Sequence, residues 1–274
     1  MAKTIFVLLD GCGNKLAREN LGFLEHMAEA KKAARYTVMG QLPAMSRPLY
    51  ETLLTGVRVC DHGISNNFIV RLSKQKHVFG LCRENSLTTA ASAYNWISEL
   101  YNKAPFSPLT DRIQSNNEAA IQNGIFYFED DYPDSHVFAD AEYLRNTYDP
   151  DFLMIHTMGI DHAGHLHGGD SKEQAEAAIK VDIAISLLLP ELIAKGYNIL
   201  ITADHGMGAN GFHGGNTEGR LLPLYLFAKN VRCGAFDETF LTQLAIAPLL
   251  CALLEISPEG ELLPLTECGV DFFA

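Results

Sequence analysis

The sequence predicts an α/β fold: a three-layer α/β/α sandwich around a largely parallel central sheet. Three observations predict it. Four short apolar runs, at residues 4–9, 152–156, 198–202 and 222–227, are continuous rather than alternating, as strands covered on both faces must be. Helical patterns lie between them, and strands alternating with helices build layered sheets. No repeat, low-complexity tract or Pro/Gly/Ser-rich linker divides the 274 residues, so 1–274 reads as a single domain, a length that one α/β domain reaches.

Taken in order, the first run is stopped by Asp10-Gly11. It is too short for a signal-peptide core and has no small-residue cleavage site behind it. The stretch from about 66 to 149 is polar and harder to parse; a small insertion over a site is expected within it. After Asp170-Ser171, an N-cap with Glu173 or Gln174 closing a capping box, Ala175, Ala178, Ile179, Ile183 and Leu187 recur at helical intervals. Pro190 is expected to break or restart that helix and Gly196 to cap its end. Residues 238–255 read as a last apolar helix, interrupted at Pro248.

Composition narrows the function. With 47% hydrophobic and 20% charged residues the chain is neither disordered nor fibrous. A net charge of −12 argues against nucleic-acid polymers and anionic membranes as partners, because both repel a negative surface. A phosphate-bearing small molecule stays open if metal ions reverse the sign locally. The cysteines Cys12, Cys60, Cys82, Cys233, Cys251 and Cys268 form no CxxC pair, which argues against a disulfide scaffold or zinc ribbon and for a reducing, cytoplasmic setting. The apolar stretch 244–254 is too short to span a bilayer.

The chemistry-bearing residues sit where the strands end, which is where open α/β sheets place ligands. The first strand ends in Asp10. The second runs into His156, Asp161, His162, His165 and His167, and the third into Asp204-His205, with His213 eight residues on. Any one of these has a plainer reading: Asp10 as a turn residue, the histidines as a solvated loop. Their coincidence at three strand ends points to carboxylate and imidazole ligands for zinc, manganese or iron. Other motifs fail. No GxxxxGK[ST] or GxSxG occurs, and Gly11-Cys12-Gly13 lacks a third glycine or alanine at Leu16.

In this order the residues resemble the alkaline phosphatase superfamily, most closely its nucleotide pyrophosphatase/phosphodiesterase branch. The family's strand ending in Asp-Gly is matched by Leu8-Leu9-Asp10-Gly11. Its nucleophile, the Pro two residues on, the Thr-Gly and the His-Gly-Ile are matched by Ser46, Pro48, Thr55-Gly56 and His62-Gly63-Ile64. Asp161, Gly164 and His165 match its Asp-x-x-Gly-His, and Asp204-His205-Gly206-Met207 its Asp-His-Gly-Met. Gly211-Phe212-His213-Gly214-Gly215 looks like the compact form in small members and in glycolipid ethanolamine-phosphate transferases.

The resemblance implies an alkaline-phosphatase-like fold and two divalent metals, zinc first, manganese or iron as alternatives. One would be held by Asp10, Asp204, His205 and the Ser46 oxygen, the other by Asp161, His165 and His213. Ser46 would be the nucleophile and Asn67 a donor to a phosphate oxygen; Arg47 is a candidate phosphate clamp. The implied activity is cleavage of a small phosphodiester through a phosphoseryl intermediate. The alternatives are a phosphomonoesterase, a phosphonate hydrolase, or a non-catalytic relative that binds metal or phosphate ester. Two departures bear on substrate: Ser46 stands where diesterases usually carry Thr, and Ser46-Arg47-Pro48-Leu49 replaces Thr-Phe-Pro-Asn. Tyr50 occupies the Arg position of the sulfatase motif, which disfavours a sulfatase. The expected partner is a small-molecule phosphate ester, with no nucleic-acid polymer and no membrane; oligomeric state is left open. Trp96 reads either as a stacking platform or, more simply, as a packing residue.

Overall fold

The computed structural model describes residues 3–215, 219–260, 262, 272 and 273. The chain opens with β1 (Thr4–Leu9), the short helices α1 (Asn14–Asn20) and α2 (Gly22–Glu29), and β2 (Ala34–Met39). Next come α3 (Ser46–Thr55), the single turn α4 (Val59–His62), α5 (Val78–Glu84), β3 (Thr89–Tyr94) and α6 (Asn95–Tyr101). The turn α7 (Pro108–Asp111), β4 (Ile113–Ser115), β5 (Asn123–Tyr127) and α8 (Asp134–Tyr148) lead to β6 (Phe152–Thr157). Then follow α9 (Gly159–His167), α10 (Lys172–Ala194), β7 (Asn198–Thr202), β8 (Leu221–Phe227), β9 (Gly234–Thr242) and α11 (Ile246–Leu253).

The strands form one sheet in the order β4-β5-β3-β6-β1-β7-β8-β2-β9. Its centre, β5-β3-β6-β1-β7, is parallel throughout. The pairs β4–β5, β7–β8 and β8–β2 run antiparallel. Helices α8 and α10 cover one face, and α3, α5, α6 and α11 the other. Burial on both faces explains why β1 is apolar at Ile5 through Leu9, all essentially inaccessible. Leu8 pairs with His156 on one side and Thr202 on the other, so β1, β6 and β7 end level with one another at the centre of the sheet. Among the described residues no helix is long and apolar enough to cross a membrane. The described cysteines are free; Cys268 lies outside the described residues.

Several expectations need correction. The stretch 66–149, expected to hold a small insertion, also supplies β3, β4 and β5, one whole side of the sheet. Ser171 does cap α10, its hydroxyl accepting the Gln174 N–H at 3.2 Å. Pro190 does not break that helix, because it lies on the solvent side, where the carbonyl it leaves unbonded can be hydrated. The buried face of α10 is Ala178, Val181, Ile185, Leu189 and Leu192, while Ile179, Ile183 and Leu187 face outward. Asp182 shares the buried face and accepts the N–H groups of Phe23 (2.7 Å) and Leu24 (3.2 Å), tying α10 to the start of α2. Residues 238–255 are not one helix. The strand β9 runs to Thr242, and α11 starts at Ile246 with Pro248 in its first turn, where its missing N–H costs nothing.

Candidate active site

Each side chain at the site is delivered by the end of an element. Asp10 follows β1 and is wholly buried. Gly11 comes next at φ +70°, and a Cβ there would meet the Asp161 Cα at 2.7 Å, so only glycine lets β1 pass this close to α9. Asp161 and His165 stand four residues apart on α9 and share one face of it. Asp204 and His205 follow β7 and are buried. Ser46 is the first residue of α3. Asp134, at the start of α8, accepts the N–H groups of Met158 (3.2 Å) and Gly159 (3.1 Å) and so fixes the start of α9.

These residues converge. One donor atom each from Asp10, Asp204 and His205 lie within 4.8 Å of one another, and so do those of Asp161, His205 and His213. His165 Nε2 is 3.3 Å from Asp161 and 3.1 Å from His213 Nε2. Ser46 Oγ is 3.0 Å from His205 Nε2. The rings of His205 and His213 stack at 3.8 Å. All seven residues expected as ligands therefore meet at one place.

Hydrogen bonds decide which atoms face the centre. A backbone carbonyl only accepts, so a ring nitrogen bonded to one must carry the proton. His165 Nδ1 meets the Gly211 carbonyl at 2.8 Å, His205 Nδ1 that of Gly206 at 3.2 Å, and His213 Nδ1 that of Ala44 at 2.7 Å. Each of the three thus turns a lone pair on Nε2 toward the cluster, the tautomer a metal ligand needs. His156 is the opposite case. Its Nδ1 accepts the Tyr94 N–H at 3.3 Å, so Nε2 carries the proton and donates to Asp10 Oδ2 at 3.1 Å. Tyr50 donates to the same oxygen. Asp204 Oδ1 accepts the Gly11 N–H at 3.3 Å. The other oxygens, Asp10 Oδ1, Asp161 Oδ1 and Asp204 Oδ2, are buried with no hydrogen-bond partner.

Three unpaired buried carboxylate oxygens beside three imidazole lone pairs are unstable without positive charge. Burial, with the charges of Asp10 and Asp161, pushes the Asp204 carboxyl well above the usual range. Burial and Asp10 raise Asp161 as well. Burial would also raise Asp10, but the His156 hydrogen bond and the nearby His205 hold it below its ordinary value. The hydrogen bond to Asp161 lifts His165 to about 9, so its Nε2 holds a proton near neutral pH and offers its lone pair only when a cation displaces that proton. The donor set and its orphaned oxygens fit divalent cations, and with them a phosphate oxygen.

Asn67 lies beside the nucleophile. Its Oδ1 accepts the Arg47 N–H at 3.1 Å, leaving the amide NH2 end for another partner. Arg47 is placed differently from a phosphate clamp. It is 1% exposed, paired with Glu99 at 2.7 Å, and stacked over the Trp96 ring at 4.5 Å. Its charge is already answered inside the protein, and Trp96 is likewise used in packing, against Arg47, Tyr50 and Tyr94. The histidine-rich stretch after β6 is helix rather than loop. Sequence reasoning missed Tyr50 as a partner of Asp10, although its place one helical turn after Ser46 puts it on the nucleophile's side of α3.

A family model described as type I phosphodiesterase / nucleotide pyrophosphatase matches residues 4–217. The chain belongs to this family. Among solved structures, an inactive variant of murine ectonucleotide pyrophosphatase / phosphodiesterase 5 in complex with AMP superposes with a TM-score of 0.76 at 13% identity, covering 100% of both chains. That likeness establishes the alkaline-phosphatase-like fold expected for the phosphodiesterase family. By sequence, the catalytic subunit of GPI ethanolamine phosphate transferase 3 from Mus musculus is 28% identical over 49% of this chain. Its Homo sapiens counterpart is 32% identical over 41%. The matched segments span 13% and 11% of those relatives' lengths. Within the phosphodiesterase family this chain thus has the phosphoester-acting fold and groups of residues able to hold metal.

Proposed function

We propose that the protein is a two-metal phosphohydrolase acting on a small phosphodiester through Ser46. The observation that carries this reading is a cluster of three unpaired carboxylate oxygens and three imidazole Nε2 atoms, one of which, that of His205, lies 3.0 Å from the Ser46 hydroxyl. Asp10, Asp204, His205 and the Ser46 oxygen would hold one cation, and Asp161, His165 and His213 the other; zinc suits the set best. Bound there, such cations supply positive charge to the phosphoryl oxygens and to the oxygens that attack and leave.

The chain's own residues do the rest. Helix α3 begins at Ser46, so its dipole favours negative charge beside that oxygen. The serine oxygen bonds to phosphorus as the ester oxygen departs with a proton. Water then cleaves the Ser46–phosphorus bond, releasing a phosphate monoester and restoring the hydroxyl. The Asn67 NH2, left open by the bond that Oδ1 accepts from Arg47, would donate to a phosphate oxygen. As a neutral donor it suits a monoanionic diester. Arg47, internally paired, adds no charge that would favour a dianionic monoester. A second reading, transfer of the phosphoryl ester to an alcohol instead of water, draws on the GPI ethanolamine phosphate transferases among the relatives. It changes only what accepts the group from Ser46.

Metal analysis of protein purified without chelator, run beside bis(4-nitrophenyl) phosphate turnover, tests this. About two equivalents of metal and chelator-sensitive turnover are expected. A reconstituted protein holding one equivalent or none would rule out the two-metal arrangement.

A further inference from the structure

The chain between α4 and α5, residues 63–77, forms no helix or strand, yet it carries Asn67, the proposed phosphate donor. Among the described residues, none from 64 to 72 shares a backbone–backbone hydrogen bond with another part of the protein. The placement of Asn67 against Ser46 is therefore left to side chains, and these reach α3, the helix that Ser46 begins. At the front, His62 Nδ1 accepts the Ile64 N–H at 3.1 Å, so Nε2 carries the proton and donates to Thr52 Oγ1 at 3.1 Å. In the middle, Asn67 Oδ1 accepts the Arg47 N–H. At the rear, Ser73 Oγ donates to Glu51 Oε1 at 2.5 Å. Arg71 closes the base of the loop, its Nη2 donating to the His62 carbonyl at 2.7 Å.

The rear tie stands out because its acceptor is a carboxylate with no access to solvent. Burying a carboxylate is costly, and burial pushes Glu51 above its ordinary range. Ser73, Tyr101 and the Arg71 charge oppose that shift. Both oxygens are used: Ser73 bonds one, and the Tyr101 hydroxyl bonds the other at 3.0 Å. Tyr101 ends α6, and the carbonyl before it, that of Leu100, accepts the Ser73 N–H at 2.7 Å. The rear of the loop is thus fixed to α3 and α6 at once, through bonds of the stronger, charge-assisted kind.

We infer that Glu51 is a positioning residue: by holding Ser73 it sets the loop, and with it the Asn67 NH2, relative to the Ser46 oxygen. The inference rests on the reading of Asn67 given above. A loop tied only at its front would let the donor swing, and a misplacement of about 1 Å can cost on the order of 10²-fold in rate. A double-mutant cycle between residues 73 and 67, read as kcat/KM on bis(4-nitrophenyl) phosphate, tests it. Ser73→Ala cuts the tie from the half-buried loop side and leaves the buried Glu51 side chain in the core. It should lower kcat/KM about tenfold in the wild-type background but less than about twofold beside Asn67→Ala, since the two act as one unit. Ser73→Thr keeps the hydroxyl and should restore most of the activity. A purely structural role would give the same fold loss in both backgrounds. That result, or no loss in Ser73→Ala, would overturn the inference. Amide hydrogen exchange over residues 64–72 needs no turnover: it should quicken in Ser73→Ala and return toward wild type in Ser73→Thr. Unchanged exchange also overturns the inference. Quickened exchange in a protein that turns over no ester would leave the tie between Glu51 and the loop standing and remove the hydrolase reading.

Discussion

At the scale of single residues, the site is built by deciding which atom of each side chain stays unpaired. Ser46→Ala removes the proposed attacking oxygen while leaving the buried ligands in place. We expect kcat/KM on an aryl diester to fall on the order of 10³-fold or more with Tm little changed. Near wild-type activity would favour direct attack by water. His213→Ala deletes one Nε2 and spares the set at Asp10, so metal content should drop from about two equivalents to about one. Asp10, Asp161, His165, Asp204, His205 and His213 were legible in the sequence because strand ends and residue chemistry coincided there; Ser46 came only from the family resemblance. Arg47 was not legible. Its neighbour in sequence is the nucleophile, but its partner Glu99 lies 52 residues on, and nothing local announces that pairing.

At the scale of elements, α9 carries two proposed ligands and is set by Asp134. Burial pushes this carboxyl up to about 6, against the two N–H bonds that oppose the shift. The folded protein therefore binds that proton more tightly than the unfolded chain does. The resulting stability is complete below about pH 4 and is lost as pH rises through 6, so at neutral pH the ionised group is a cost. Asp134→Asn keeps an oxygen for both N–H groups and removes the charge. We expect a higher Tm than wild type at about pH 7–8, worth on the order of 1 kcal/mol after allowing for partial solvent contact, with the gain fading toward pH 4. Thermal melts across that range check the sign. The strands β1, β6, β7 and β8 were read because full burial leaves an apolar run, whereas β2, β3, β4 and β5, less uniformly apolar, were not, and part of β9 was read as helix. Helix faces were read less well. On α10 the periodic set Ile179, Ile183 and Leu187 is as apolar as the set that packs, and periodicity alone does not say which stripe the sheet takes.

At the scale of the whole molecule, the −12 charge supports the small ester proposed as substrate. A polyanion would be repelled at long range, so a small ester is favoured. Matched aryl diester and monoester should show the higher kcat/KM for the diester; a hundredfold preference for the monoester would make phosphatase the better description. The placement of β1 has one more consequence. Thr4 pairs with Phe152 on one side and with Asn198 on the other. During synthesis β1 therefore waits for its first neighbour, β6, until about 150 further residues have been made, and for β7 until almost 200. At about 5–20 residues per second the first wait is roughly 8–30 s, during which an unpaired apolar edge is open to other nascent chains. Synthesis should therefore depend on chaperone holding far more than the finished protein's stability would suggest. Refolding from denaturant should likewise lose yield steeply as protein concentration rises.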